Sequence, residues 1–241
     1  MKLTEESTRS YIDDIKYVEL IKFLTWKGDV SPTWIGKYMP ATRSDDSELV
    51  IHALFNRGHY LFYRALIERH MDKRGSALDI GCGTGQRTAM LARYADEVWG
   101  VDNDMLKISS AIHLNGAGNI KFAFSDLWQQ ENEDSYGRKF DYIFMVEVVE
   151  HIELVAQVSF VKLALRLLED GGRMFITTPK DKVIARDYPH IGLWDENTVA
   201  EMVDNFGGTI EYFNVGPLNS GGENPWSEKD QATHYVMVIQ K

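Results

Sequence analysis

The sequence predicts an α/β fold: a doubly wound, mostly parallel sheet of seven strands, with an N-terminal helical and loop cover over residues 1–45 and the main domain over 46–241. Three observations predict it. From Ser76 onward, short apolar runs alternate with helical patterns, as expected of strands joined by crossover helices. The aliphatic run Ala77-Leu78-Asp79-Ile80 passes directly into Gly81-Cys82-Gly83-Thr84-Gly85. A chain of 241 residues with 44% hydrophobic content is long enough and apolar enough to bury one core of ordinary size.

Taken in order, Ile12, Ile15, Val18, Ile21 and Leu24 make a helical stripe over 10–27 that Gly28 stops. Pro32, Gly36 and Pro40 mark 29–47 as loop. Ser47 reads as the N-cap of a long helical pattern through Leu49, Leu54, Leu61, Leu66 and Met71, bent near Gly58. Strands are then expected at 77–80, 97–101, 120–123, 142–146 and 173–177, with helices at 88–94, 105–115 and 154–168 between them. Asp195 is positioned to cap a helix over 196–206, which Gly207-Gly208 ends. Two more strands, 209–215 and 234–240, flank a Gly-, Ser- and Asn-rich segment at 217–230.

Composition narrows the function. Thirty-six acidic against 26 basic side chains leave a formal charge of −10, which argues against a broad phosphate-neutralising surface, though not against a local basic groove. No apolar run reaches the roughly 18 to 20 residues of a membrane-spanning helix. The first residues, Met1 to Glu6, lack the apolar core of a signal peptide, so a cytoplasmic protein is expected. The single cysteine, Cys82, rules out an internal disulfide and a cysteine-rich zinc site.

The glycine loop selects among nucleotide ligands. A dinucleotide fingerprint would need glycine at position 86, where this chain has Gln86. A pyrophosphate also prefers a helix N-terminus free of nearby anions, whereas Asp79 beside the loop suits the sulfonium and ammonium of S-adenosylmethionine. With these residues the sequence resembles the class I S-adenosylmethionine-dependent methyltransferases over roughly residues 56–241. The resemblance implies a cofactor site on Asp79, Gly81, Cys82, Gly83 and Gly85. Asp102 with Asn103, at the end of the second strand, would take the ribose hydroxyls; the alternative is a strand-end turn in Asp102-Asn103-Asp104. Asp126 would accept from the adenine amino group, with Leu127 or Met105 against the ring. Arg57, with His59 and Tyr60, sits where relatives hold the methionine carboxylate, or is a surface charge.

After the fourth strand comes Glu147-Val148-Val149-Glu150-His151. Methyl transfer to a hydroxyl needs its proton removed or its oxygen polarised. His151 can act as base, with Glu147 beside it. Alternatively Glu147, Glu150, His151 and the distant His190 can hold Mg²⁺ or another divalent cation. The second arrangement resembles two groups, the ubiquinone-pathway O-methyltransferases and the small-RNA 3′-terminal ribose 2′-O-methyltransferases. The expected function is therefore an O-methyltransferase of a small-molecule or sugar hydroxyl. An RNA ribose 2′-O-methyltransferase, served by the basic residues Arg57, Arg64, Arg69, Lys73 and Arg74, and a non-catalytic S-adenosylmethionine-binding subunit are the alternatives. Trp194 reads as packing, and Trp226 as a ligand cover or a loop seal.

Overall fold

The structure, a computed structural model, describes residues 62–116, 118–126, 136–180, 190–213, 226 and 228–241. The expected cover over 1–45 and its boundary, with Arg57, His59, Tyr60, Leu127 and most of the 217–230 segment, lie outside the described residues. The chain divides into two units, 1–70 with 214–225 and 71–213 with 226–241. In the first, a helix over 62–70 buries Phe62, Tyr63, Leu66 and Ile67, an i, i+4 stripe, and pairs Arg64 with Glu68 one turn on, at 2.8 Å.

The second unit is built on seven strands: β1 (Ser76–Ile80), β2 (Glu97–Asp102), β3 (Ile120–Phe124), β4 (Phe140–Val146), β5 (Leu168–Pro179), β6 (Thr209–Phe213) and β7 (His234–Gln240). They lie in the order β3-β2-β1-β4-β5-β7-β6. The first five run parallel, and β7 is antiparallel to both β5 and β6. The expected doubly wound, mostly parallel sheet is thus the observed one. Chain order reverses between β1 and β4, which opens a crevice at the carboxyl ends of these two strands.

Burial explains the strand pattern. β4 is covered on both faces, so Phe140, Tyr142, Ile143, Phe144, Met145 and Val146 are all buried and the strand reads as an apolar run from Tyr142 to Val146. Its core neighbours include Leu78 and Ile80 of β1, Met174 and Ile176 of β5, and Met237 and Ile239 of β7.

Among the described residues of this unit, four helices cover the sheet: α1 (Gln86–Leu91), α2 (Met105–Asn115), α3 (Leu154–Arg166) and α4 (Glu196–Phe206). α2 and α4 have the expected limits, and each begins at an aspartate whose carboxylate accepts backbone N–H groups, Asp104 from Leu106 and Lys107 and Asp195 from Thr198. α1 starts and stops earlier than the apolar pattern implies. Gly85, left-handed at φ 87, launches it, and i→i+3 bonds at Arg93 and Tyr94 close it. α3 was expected to run to Leu168. It ends at Arg166, because Leu168 pairs with Phe140 as the first residue of β5. β5 begins earlier than the expected 173–177, so Asp170-Gly171-Gly172 lies within it beside an irregularity in the β4 register.

Candidate active site

The parallel register of β1 and β4, with Ile80 opposite Met145, brings the glycine loop and the Glu147–His151 turn to the same end of the sheet. They touch. A Cβ on Gly81 would lie 2.5 Å from Val148 Cγ2, and one on Gly85 would lie 2.6 Å from the Phe122 ring and 3.1 Å from Ala111. Those two glycines therefore allow the loop to pack on its own protein. Gly83 is different: at φ +57, its Cβ direction meets nothing within 4 Å, which leaves its backbone open to a ligand.

The acids around the loop have distinct environments. Asp79, on β1, is buried and accepts a 2.7 Å hydrogen bond from Thr88 Oγ1. Burial pushes its pKa up to about 6, against the lowering effects of Thr88 and Arg87. Asp102, at the end of β2, accepts from the Gly83 N–H through Oδ2 and from the Asp104 N–H through Oδ1, both at 2.9 Å. It thus makes the strand-end turn and also reaches the open glycine. Asn103 beside it is exposed, and Asp126 is partly buried just beyond β3. Met105 and Phe124, also near the carboxyl ends of β2 and β3, are 57% and 49% exposed. Cys82 is buried, and burial with the neighbouring acids raises its thiol pKa, so it is no nucleophile.

The turn after β4 holds the densest group of titratable side chains. One ligand atom each from Glu150, His151 and His190 lies within 4.8 Å of the others. The two imidazoles meet edge to face, 4.9 Å between centroids. Glu150 is fully buried on a short 3₁₀ turn, Val149–His151, and neither carboxylate oxygen has a hydrogen-bond partner among the described residues. Burial first, and then the charge of Glu147, holds its pKa well above the carboxylate range. Burial and His151 lower the pKa of His190, favouring the neutral imidazole. A buried acid with a raised pKa beside a neutral imidazole offers ligand atoms to a cation that would displace its proton.

Glu147, expected with this group, lies close enough to raise the Glu150 pKa and is oriented by β5 and β7. Its backbone has φ 58, the only left-handed non-glycine among the described residues. Thr177 fixes it from β5: the Thr177 hydroxyl donates to Oε1 at 2.9 Å, and the Glu147 N–H donates to Thr177 O and Oγ1 at 3.2 Å. Its Oε2 lies 3.4 Å from Nε2 of His234, a fully buried histidine opening β7.

Sequence reasoning missed Thr177, His234 and Arg87, which donates to Val146 O from the first turn of α1. Of these, only the polar run Thr177-Thr178 in an apolar strand carried a visible signal. Trp194 is packing, as expected: it is buried, and its indole N–H donates to Gln157 at 2.6 Å. Trp226 packs edge-on against Phe213, 5.7 Å between centroids.

Comparison with known proteins agrees with this geometry. A family model described as a methyltransferase domain matches residues 55–210, more than half of the chain. A ubiquinone biosynthesis O-methyltransferase of Mesorhizobium japonicum is 35% identical over 102 residues, 42% of this chain and 39% of that protein. The chain thus spans less than half the length of this relative. Among solved structures, the DhpI complex with S-adenosylhomocysteine aligns over 94% of this chain and 95% of that one, at 14% identity and a TM-score of 0.58. N-methyltransferase NodS of Bradyrhizobium japonicum, also with S-adenosylhomocysteine, aligns over 83% and 93%, at 16% identity and a TM-score of 0.57. At these identities the structures speak for the fold alone. With the family match, the glycine loop and the sheet order in agreement, the chain belongs to the methyltransferase domain family and has the class I S-adenosylmethionine-dependent methyltransferase fold.

Proposed function

We propose that the chain is an O-methyltransferase that transfers the methyl group of S-adenosylmethionine to a hydroxyl of a small molecule or sugar, with a divalent cation held by Glu150, His151 and His190. The observation that carries the reading is the cluster that His190 makes with Glu150 and His151, the latter two on the turn that the glycine loop touches. Buried Glu150, lacking any hydrogen-bond partner among the described residues, fits a cation better than a structural acid.

On this reading the open backbone of Gly83 and the Asp102 carboxylate receive the nucleoside, and the exposed apolar side chains of Met105 and Phe124 cover the purine. Asn103 and Asp126 remain candidates for its polar edges, Leu127 for a contact with the ring, and Arg57 for the methionine carboxylate. Methyl transfer from a sulfonium is an in-line displacement, so the acceptor oxygen must face the methyl group with its proton removed or its charge offset. When bound, a divalent cation acts as a Lewis acid that lowers the pKa of such a hydroxyl. Glu150 supplies the anionic ligand and the imidazoles of His151 and His190 the neutral ones. Two nitrogen donors favour an ion softer than Mg²⁺, such as Mn²⁺ or Co²⁺. Glu147, clamped by Thr177 and near His234, keeps a second carboxylate beside the cluster to take the hydroxyl proton.

The charge distribution supports a small acceptor over RNA. Lys73 pairs with Asp141, and Arg74 with Asp96, each at 2.9 Å and at the amino ends of the strands, opposite the crevice. Labelled S-adenosylmethionine with a panel of hydroxylated metabolites, scored by mass spectrometry, tests the proposal. Methylated product that chelator abolishes and Mn²⁺ restores is expected, with loss of the ion in His151→Ala combined with His190→Ala. Full turnover in chelator would leave only base catalysis by His151, and methylation confined to amines would overturn the O-methyltransferase reading.

A further inference from the structure

The cluster joins two segments far apart in the chain, and one buried side chain ties them together. Gln157, on the first turn of α3, is 1% exposed. Its Nε2 donates to the carbonyls of Val149 at 2.7 Å, Ile152 at 3.0 Å and Gly192 at 2.7 Å, and its Oε1 accepts from Trp194 Nε1 at 2.6 Å. Val149 and Ile152 bracket Glu150 and His151; Gly192 lies two residues past His190. With two hydrogens for three carbonyls, the amide shares one of them, and each acceptor belongs to a segment that carries a proposed ligand. The Glu150 carbonyl reinforces the joint, accepting from the N–H groups of Ile191 and Gly192 at 2.9 and 3.0 Å. Residue 192 has no room for a side chain: a Cβ there would sit 1.9 Å from Ile152 O and 2.3 Å from Gln157 Nε2. The backbone of one segment lies directly on that of the other.

We propose that Gln157 is a positioning residue of the metal site, setting the distance of His190 from Glu150 and His151 without touching the ion. This rests on the metal reading above. A helix interior gains nothing from a buried glutamine, whose polar atoms cost free energy unless every one is bonded. All of this side chain's bonds go to the two ligand-bearing segments. Outer hydrogen-bond partners of ligands commonly change metal affinity 10- to 100-fold when removed.

The test titrates Co²⁺ into wild-type protein, Glu150→Gln and Gln157→Met, following the heat of binding and the visible d–d spectrum, with S-adenosylhomocysteine affinity as the measure of an intact fold. Wild type is expected to bind Co²⁺ and Glu150→Gln to lose it. Gln157→Met should bind it about 10- to 100-fold more weakly, with an altered spectrum, while keeping its S-adenosylhomocysteine affinity. If Gln157→Met does not fold, Trp194→Phe, which removes the bond to Oε1 together with part of a buried ring, should weaken Co²⁺ binding several-fold and shift the same bands. Wild-type affinity and spectrum in the folded variant would overturn the role of Gln157 and leave the metal reading standing. Wild-type protein that takes up no Co²⁺ would overturn both.

Discussion

Gly83 and Asp79 lie four residues apart and make opposite demands on the chain. Gly83 must leave space, so Gly83→Val puts a branched side chain where nothing lies within 4 Å and forces a left-handed φ on it. The expected result is a folded protein, less stable by about 1 to 2 kcal/mol, that no longer binds S-adenosylhomocysteine by calorimetry. Unchanged affinity would remove Gly83 from the cofactor site. Asp79 is instead buried, which makes its charged form costly. Its carboxyl titrates near 3.8 when unfolded and near 6 when folded, so between these values the folded state keeps a proton that the unfolded state has lost. The contribution of Asp79 to stability is therefore greatest below pH 3.8 and declines as pH rises to 6, by about 3 kcal/mol. Asp79→Asn should flatten that part of the urea-unfolding profile between pH 4 and 6.5, and a parallel profile would show that the carboxyl is not protonated in the fold. Residues of this kind were legible only in part. The three loop glycines stand out in the sequence, but which of them faces a ligand depends on Val148 and Phe122, distant in the chain. Gln157 and His234 look like ordinary polar residues of a helix and a strand, because their partners come from other elements.

The elements were the most legible part. Strands with buried faces and helices with aspartate caps announce themselves locally, which is why α2 and α4 have the limits their sequences imply. α4 depends on both ends, Asp195 accepting from Thr198 and Gly207 left-handed at φ 65. Asp195→Ala should cost about 1 kcal/mol in chemical denaturation, and no loss would mean that water or Glu196 replaces the cap. The limits that shifted belong to α1 and α3, where tertiary pairing overrides pattern: Leu168 continues the apolar stripe of α3, yet Phe140 claims it for the sheet. The Glu147–His151 turn was visible as a motif but not as a geometry. The left-handed φ of Glu147 turns its carboxylate to Thr177, while Glu150 and His151 group with His190.

At the scale of the molecule, the proposed metal site would link stability to cation uptake. A cation that binds only the folded state adds about 2.7 kcal/mol at one hundred times its dissociation constant. Mn²⁺ at that level should raise the unfolding free energy of wild-type protein by that amount and leave Glu150→Gln unmoved; an equal rise in both would place the ion elsewhere. Because burial and Glu147 keep Glu150 protonated in the metal-free fold, uptake must release its proton, so affinity should grow as pH rises through the neutral range. Sheet order adds a consequence for synthesis. β7 follows β6 in translation yet lies between β5 and β6, and among the described strands β6 pairs with β7 alone. A nascent chain that has completed β1 to β6 therefore carries an open edge on β5 and an unmoored β6, the kind of surface chaperones shield. The same last strand delivers His234 to Glu147. Closing the sheet and finishing the surroundings of that carboxylate are one event, so a ribosome-stalled chain short of residue 234 would be aggregation-prone and chemically incomplete at once.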